Sequence, residues 1–289
     1  MQFTKMQGVG NDFVVVDAAL RPANISLPDL ARVTCDRKFG IGADGLLVVS
    51  QEQGADTAAR MRMFNPDGSE DMCGNGLRCV SLWAHRAGWL GEQAQFTVAA
   101  LDGPRAVEML SVSADRRTAD FAVDMGVPLF DPNRLPFCDT SQARIVSFPL
   151  SVGGENVLVT VVNTGSTHTV IFGPQPKEEV FQRISPLIEN HPLFPERTSV
   201  LWATPRDSQT IDIRIWERGA GETLGCGTGA CAVGVAAVLN GYTEFNMPTD
   251  IVSKGGTLRI TWPGEGASVL MAGPAQFVYE GDIALDRIA

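Results

Sequence analysis

Most of the chain alternates apolar and polar residues in short runs, which is typical of strands that bury one face. In the first half such runs are QFTVAAL from Gln95, RAVEML from Arg105 and TADFAVDM from Thr118. In the second half they include NVLVTVVN from Asn156 and TIDIRIWE from Thr210. The pattern predicts sheets that are mostly antiparallel.

Two other segments have apolar residues at helical spacing. One predicted helix covers residues 27–39, with Ser26 as its N-cap and Pro28 in its first turn. The second covers residues 177–190, and Pro186 within it predicts a kink or a boundary.

Two further predicted helices each begin at a heptad of the same form. The heptads are Cys73-Gly-Asn-Gly-Leu-Arg-Cys79 and Cys226-Gly-Thr-Gly-Ala-Cys-Ala232, and each predicted helix ends at a glycine, Gly91 or Gly241. The heptad glycines let a ligand approach the first helical amides, and the helix dipole favours an anion there. Each heptad therefore predicts a thiol beside a carboxylate-binding helix N-terminus, which is expected to lower the pKa of that thiol.

The two heptads belong to halves that have the same order of elements. Each half contains a strand, a Gly turn, a strand, an acidic turn and then the thiol, its helix and more strands. We interpret this as a diverged two-fold repeat. Residues 126–136 are Pro-rich and non-periodic, and we place the main domain boundary near them. Glu70 and Glu222, which precede the thiols, are interpreted as capping or dipole partners of the helices.

Composition excludes several classes of protein. The 289 residues are 44% hydrophobic and 19% charged, which is ordinary for a soluble globular protein of one large or two smaller domains. A net charge of -10 argues against a nucleic-acid partner, and no apolar run is long enough to predict a membrane span. Six cysteines without an export signal predict a cytoplasmic protein, and three histidines without a CxxC pair predict no metal site.

Two thiols are suited to inversion at a stereocentre. One thiolate can remove a proton from one face of a carbon while the other thiol delivers a proton to the opposite face. A hypothesis of another class is a non-enzymatic redox sensor, in which Cys73 and Cys226 form a reversible disulfide. We interpret Cys35, Cys79 and Cys231, and also Cys138, as apolar packing residues.

Five segments in order resemble the motifs of the diaminopimelate epimerase family. They are residues 8–13, 65–70, 73–79, 217–223 and 226–231. The resemblance implies an α+β protein of two pseudo-symmetric domains, residues 1–126 with 275–289 and residues 127–274. Each domain would be a mixed, mostly antiparallel, β-barrel-like sheet around a central helix, with the active site in the interdomain cleft.

The resemblance also implies a cofactor-independent isomerase that interconverts LL- and meso-diaminopimelate on the route to lysine and peptidoglycan. Its partner would be a small amino-acid substrate, with no nucleic acid or membrane, and a homodimer is compatible with it. Cys73 and Cys226 would be the acid–base pair, which His168 and Glu217 orient or activate. The implied substrate contacts are Asn11, Asn65, Gly74, Asn75, Ser166, Ser199, Glu217, Arg218, Gly227 and Thr228.

The chain departs from the family at two of these positions. Ser166 and Ser199 stand where the family commonly has Asn, so two amides become shorter hydroxyls. This leaves open a second hypothesis on the same fold, a racemase or epimerase of a different amino acid.

Overall fold

The computed structural model describes residues 1–52 and 57–285, and the chain divides into two compact units. The first unit is Met1–Asp124 together with the chain from Ala272 onward, and the second is Met125–Met271. No helix among the described residues has the length and apolar character needed to cross a membrane.

The first unit is a mixed sheet with two helices. Its elements are β1 (Gln2–Gly8), β2 (Asn11–Asp17), α1 (Leu27–Cys35), β3 (Gly45–Gln51), β4 (Thr57–Phe64), β5 (Glu70–Asp71), α2 (Gly74–Arg86), β6 (Gln95–Ala100), β7 (Gly103–Val112) and β8 (Thr118–Asp124). The pairs β1–β2, β3–β4, β6–β7 and β7–β8 are antiparallel, whereas β2–β3 and β4–β6 are parallel.

The second unit repeats this order. Its elements are β9 (Phe148–Val152), β10 (Glu155–Asn163), β11 (Thr167–Phe172), α3 (Glu178–Glu189), β12 (Ser199–Pro205), β13 (Thr210–Glu217), β14 (Gly221–Thr223), α4 (Gly227–Leu239), β15 (Thr249–Ser253) and β16 (Gly256–Thr261). The pairs β9–β10, β10–β11, β12–β13 and β15–β16 are antiparallel, and β11–β12 and β13–β15 are parallel.

The last strand, β17 (Leu270–Asp282), closes the sheet of the first unit, because it pairs with β8 and lies antiparallel to β1. Inside that closed sheet, α2 buries every residue from Gly74 to Leu82. The predicted α+β class with barrel-like mixed sheets is confirmed.

Equivalent registers support the predicted repeat. The parallel ladder of β2 and β3 opens at the pair Phe13 and Gly45, and that of β11 and β12 opens at His168 and Ser199. The sheet therefore places His168 directly beside Ser199.

Three predicted helix ends differ from the structure. Helix α1 has the predicted cap, since Ser26 Oγ accepts from the Asp29 amide at 3.2 Å, but it ends at Cys35. There Asp36 leaves the helical conformation and its carboxylate accepts from the amides of residues 38 and 39. Helix α3 continues through Pro186 to Glu189, so Pro186 is not its boundary.

Helix α2 ends at Arg86 rather than at Gly91, because Gly88 already has a positive φ of 78°. Helix α4 ends at Leu239, two residues before Gly241, which has a φ of 75°. Both helices therefore stop at a glycine in the left-handed conformation that L side chains rarely adopt.

Helix α4 is apolar on every side and packs closely on β16. A Cβ at Gly234 would lie 2.5 Å from Ile260 Cγ2 and 3.0 Å from Ile260 Cβ. The absence of a side chain at Gly234 is therefore what lets the helix approach the strand.

Replacing Gly234 with Ala should destabilise the protein by about 1–3 kcal/mol through overpacking, although Ala favours a helix by about 1 kcal/mol. Gly173→Ala is the control, because a Cβ there meets no heavy atom within 4 Å, and its effect should stay within about 0.5 kcal/mol. Urea unfolding of both variants measures the difference. A stabilised Gly234→Ala variant would contradict the packing argument.

Candidate active site

Cys73 is the N-cap of α2. Its backbone is extended, with φ -143° and ψ 113°, and its Sγ accepts from the Gly76 amide at 3.4 Å. The capping bond holds the sulfur at the end of the helix, beside the amides of Gly74 and Asn75, which have no acceptor within the helix.

Cys226 repeats this arrangement at the start of α4. Its φ and ψ are -135° and 115°, and its Sγ accepts from the Gly229 amide at 3.3 Å. Both thiols are half-buried. The amides of Gly227 and Thr228 occupy the positions that Gly74 and Asn75 hold in the first unit.

The last glycine of each motif lies in close contact with a neighbouring strand. A Cβ on Gly76 would lie 3.0 Å from Leu47 Cδ2 in β3, and one on Gly229 would lie 3.1 Å from Leu201 Cδ1 in β12. Each helix therefore begins pressed against a strand leucine, which the sequence interpretation missed.

Glu70 and Glu222 do not cap the helices, so the capping part of that prediction is wrong. Glu70 accepts from Arg62 Nε and Nη2 at 2.8 and 2.7 Å, and Glu222 accepts from Arg214 Nε and Nη2 at 2.8 and 3.0 Å. The Arg214 guanidinium is the main reason that the pKa of Glu222 falls to about 2. The pairs fasten β5 to β4 and β14 to β13, and the capping role belongs to the thiols.

In the first unit, a chain of side-chain amides fixes the surroundings of Cys73. Asn11 Oδ1 accepts from Asn75 Nδ2 at 3.1 Å and lies 3.7 Å from Cys73 Sγ, which donates to it. Asp44 Oδ2 accepts from Asn11 Nδ2 at 2.8 Å, and Asn75 Oδ1 accepts from Arg78 Nη2 at 2.8 Å. These contacts turn the oxygen of Asn11 toward the thiol.

Sequence reasoning missed both ends of this chain. Asp44 lies in a glycine-rich loop, and Arg78 is completely buried on α2, where an arginine is rare unless it is paired. The only sequence signal for Arg78 was that it belongs to the first heptad. The equivalent position of the second heptad is occupied by Cys231.

Asn65 is not joined to this chain. Among the residues that the structure describes, its side-chain amide donates to Ser69 Oγ at 3.1 Å and its backbone closes the turn with Gly68 and Ser69. Its predicted contact with substrate stays a prediction.

In the second unit, a directed hydrogen-bond chain ends at Cys226. His168 Nδ1 lies 2.7 Å from the carbonyl of Ser166, so in the neutral ring Nδ1 carries the hydrogen and Nε2 is an acceptor. Thr228 Oγ1 lies 3.2 Å from that Nε2 and donates to it, and its oxygen lies 3.5 Å from Cys226 Sγ. Within this unit His168 therefore acts on Cys226 through Thr228.

Burial keeps His168 neutral. It is fully buried, and the loss of hydration lowers its pKa to about 4, with a smaller contribution from the positive charge of Arg218. The carbonyl of Ser166 opposes this shift but does not reverse it.

The expected lowering of the thiol pKa is wrong for Cys226. Burial raises its pKa well above the ordinary value, and the negative charge of Glu217 adds to the effect. The Gly229 amide, which donates to the sulfur, lowers the pKa but does not outweigh these two causes. The surroundings of Cys226 therefore favour its protonated form.

Glu217 and Arg218 lie at the end of β13 and in the turn that follows it. The Glu217 carboxylate lies close enough to the Cys226 thiol to influence its pKa, and the exposed Arg218 donates from Nη1 to the carbonyl of Glu196 at 2.9 Å. Ser199 Oγ accepts from the Arg218 amide at 3.1 Å. Ser199 therefore holds this turn, a role that its hydroxyl suits.

The other cysteines divide into two groups. Cys35, Cys79 and Cys231 are buried, as predicted for packing residues, and burial raises the pKa of Cys35 to about 11 and of Cys79 to about 12. Cys138 is exposed, so the packing prediction is wrong for it. Over the described ranges, no three side chains of His, Cys, Asp or Glu are grouped as metal ligands.

Comparison with known proteins assigns the family. The family model described as Diaminopimelate epimerase matches residues 3–130 and 160–278. The chain belongs to the diaminopimelate epimerase family. Curated diaminopimelate epimerases of Desulforudis audaxviator and Pelotomaculum thermopropionicum are each 43% identical to it. The alignments cover 97% of this chain and 98% of the first relative, and 98% of both chains for the second.

Solved structures of more distant proteins share the fold. A PhzF-family phenazine biosynthesis protein of Bacillus anthracis matches with a TM-score of 0.71 at 18% identity, over 98% of this chain and 99% of its own. A probable proline racemase from Agrobacterium radiobacter K84 matches with a TM-score of 0.70 at 13% identity, over 99% and 93%. The predicted family is confirmed, and with it the enzyme class, since epimerases are isomerases.

The buried, neutral His168 predicts a pH-dependent stability. Its pKa is about 4 in the folded chain and about 6.5 when unfolded, so below pH 6.5 the unfolded state binds the proton first. Stability is complete above about pH 6.5, and about 2–3 kcal/mol should be lost as the pH falls to about 4.5.

His168→Gln should lack this part of the pH dependence, because Gln does not titrate. Urea unfolding at several pH values compares the slopes of the two proteins. Parallel profiles would show that His168 binds its proton equally well in the folded and unfolded chain.

Proposed function

We propose that this chain inverts one α-carbon of diaminopimelate and so interconverts its LL and meso forms, with Cys73 and Cys226 as the acid–base pair. The observation that carries the proposal is the repeated placement of a thiol as the N-cap of a buried helix. Membership of the family supplies the substrate, since the curated relatives bear the name diaminopimelate epimerase.

The proposed reaction is one proton removal and one proton delivery. A thiolate takes the α-hydrogen, and the electron pair left on carbon spreads into the adjacent carboxylate. The second thiol then gives its proton to the opposite face of the carbon and becomes a thiolate. The pair carries one proton before and after the reaction, so its titration belongs to the couple.

The helix N-termini are proposed to stabilise the charge that develops on the carboxylate. The amides of Gly74 and Asn75, and of Gly227 and Thr228, are free of helical acceptors and fixed in direction. Fixed donors of this kind stabilise a developing oxyanion without reorganising. No cofactor is needed for this step.

The surroundings of the thiols suggest which one holds the shared proton at rest. Burial and Glu217 raise the pKa of Cys226, so we propose that Cys226 enters as the thiol. Cys73 is then the base in this proposal, once it has lost the hydrogen that it donates to Asn11 Oδ1, and the roles exchange when the reaction runs in reverse.

The remaining contacts are proposals from the family resemblance. Arg218 would bind the distal carboxylate, and Asn11, Asn65 and Ser166 would contact the polar groups of the substrate. Ser199 would act through the Arg218 turn, since its oxygen accepts from that amide.

The setting of the enzyme is also proposed. Both thiols must stay reduced for turnover, which favours a reducing compartment such as the cytoplasm. The domain bounds, the location of the active site in the interdomain cleft and the homodimer stay predictions.

Cys73→Ala and Cys226→Ala should each lower the conversion of LL- to meso-diaminopimelate by at least about 10²–10⁴-fold, the usual contribution of a general acid or base. Cys138→Ala should convert LL-diaminopimelate at the wild-type rate, because that thiol is exposed and lies outside both heptads. Chiral chromatography of the reduced, chelator-dialysed protein measures the conversion.

The same assay separates the other hypotheses. Turnover of another amino acid with inert diaminopimelate would favour the same-fold racemase suggested by Ser166 and Ser199. A folded, reduced protein that converts no amino acid, yet forms a reversible disulfide between Cys73 and Cys226, would favour the redox sensor.

A further inference from the structure

The last residue of α3 is a buried carboxylate that no role described above explains. Glu189 is only 6% exposed. Its Oε1 accepts from the Gly219 amide at 2.8 Å and from Arg197 Nη1 at 3.1 Å, and its Oε2 accepts from Trp216 Nε1 at 2.7 Å. Both oxygens are therefore used by donors of the second unit.

Two of these donors flank the residues Glu217 and Arg218. Trp216 immediately precedes this dipeptide and Gly219 immediately follows it. One carboxylate thus holds the chain on both sides of the dipeptide, with a different oxygen on each side.

The turn has an acceptor for each of its amides. The Arg218 amide donates to Ser199 Oγ, the Gly219 amide to Glu189, and the Ala220 amide to the carbonyl of Glu217 at 3.1 Å. Gly219 has a φ of 79°, which favours glycine. The conformation of the turn is therefore specified by its hydrogen bonds as well as by its sequence.

Anchoring of α3 does not require a carboxylate. Phe181, Ile184 and Ile188 already pack this helix into an apolar core. A buried charge is costly unless its hydrogen bonds are complete, and an apolar residue would anchor a helix end at least as well. The carboxylate at Glu189 is explained by its three hydrogen-bond donors, the Gly219 amide, Arg197 and the Trp216 indole.

We propose that Glu189 is a positioning residue that holds Glu217 against Cys226 and Arg218 in its place for the substrate. This inference rests on the proposed function for the role of Arg218. The proximity of Glu217 to Cys226 is a feature of the structure itself, so part of the inference is testable without any substrate.

The first test is alkylation of Cys226 by iodoacetamide across pH, followed by mass spectrometry of the Cys226 peptide. Glu217→Gln removes the negative charge beside the thiol and should move the profile to lower pH. Glu189→Gln should also move the alkylation profile to lower pH. Without the carboxylate the turn after β13 is no longer held, and Glu217 can move away from the thiol. An unmoved Glu189→Gln profile would overturn the proposal.

The second test is steady-state kinetics with diaminopimelate. Glu189→Gln should raise KM about tenfold or more, since loss of a charged hydrogen bond displaces the turn that carries Arg218. The side-chain amide introduced by this substitution also points an N–H group at one of the donors from which the Glu189 carboxylate accepts. Glu189→Gln/Trp216→Phe removes the indole donor and should lower KM below that of Glu189→Gln, toward that of Trp216→Phe alone.

Ser185→Ala is the matched control. Ser185 lies on the same helix, is buried, and accepts from the indole of Trp202 at 3.0 Å, but it does not touch the turn. It should lower the melting temperature while leaving KM and the Cys226 profile unchanged. Equal changes in Ser185→Ala and Glu189→Gln would assign Glu189 a structural role only and overturn the proposal.

Two further outcomes are distinguishable. If Glu189→Gln does not fold, Trp216→Phe tests the proposal instead. It removes one donor to Glu189 and should move the Cys226 alkylation profile to lower pH by a smaller amount. If diaminopimelate is inert, the proposed function fails, and the alkylation profiles still decide whether Glu189 positions Glu217.

Discussion

The hydrogen bond from a helix amide to a cysteine sulfur is the interaction on which the rest of the site depends. It makes each thiol the cap of its own helix, at 3.4 Å in the first unit and 3.3 Å in the second. A sulfur held in this way cannot leave the helix end without exposing an unpaired amide. The position of the reacting atom and the direction of the first free amides are therefore set together.

Both units contain this capping hydrogen bond, but the surroundings of the two thiols differ. Near Cys73 lie the neutral side-chain amides of Asn11 and Asn75, and Asp44 and the buried Arg78 set the orientation of these amides. Around Cys226 lie a hydroxyl and a carboxylate, and the carboxylate together with burial favours the protonated thiol. A symmetric scaffold with asymmetric neighbours suits a reaction in which one group gives a proton and the other takes it.

The sequence predicted the repeat, the helix starts and the thiols, because these follow from periodicity, capping and a heptad that occurs twice. It did not predict partners that are distant along the chain. Glu70 and Glu222 look like helix caps by position, yet each reaches back eight residues to an arginine. Glu189 is separated from Gly219 by 30 residues and Asn11 from Asp44 by 33, so only the fold brings them together.

The most direct test of the two-thiol account is the origin of the new α-hydrogen. LL-diaminopimelate is converted to low extent in D2O, and NMR then examines the recovered substrate and the product. With two distinct groups, the meso product carries deuterium at the inverted carbon while the recovered LL substrate keeps its protium. Protium retained in the product, or deuterium entering the substrate as fast as the product forms, would indicate a single acid–base group and contradict the account.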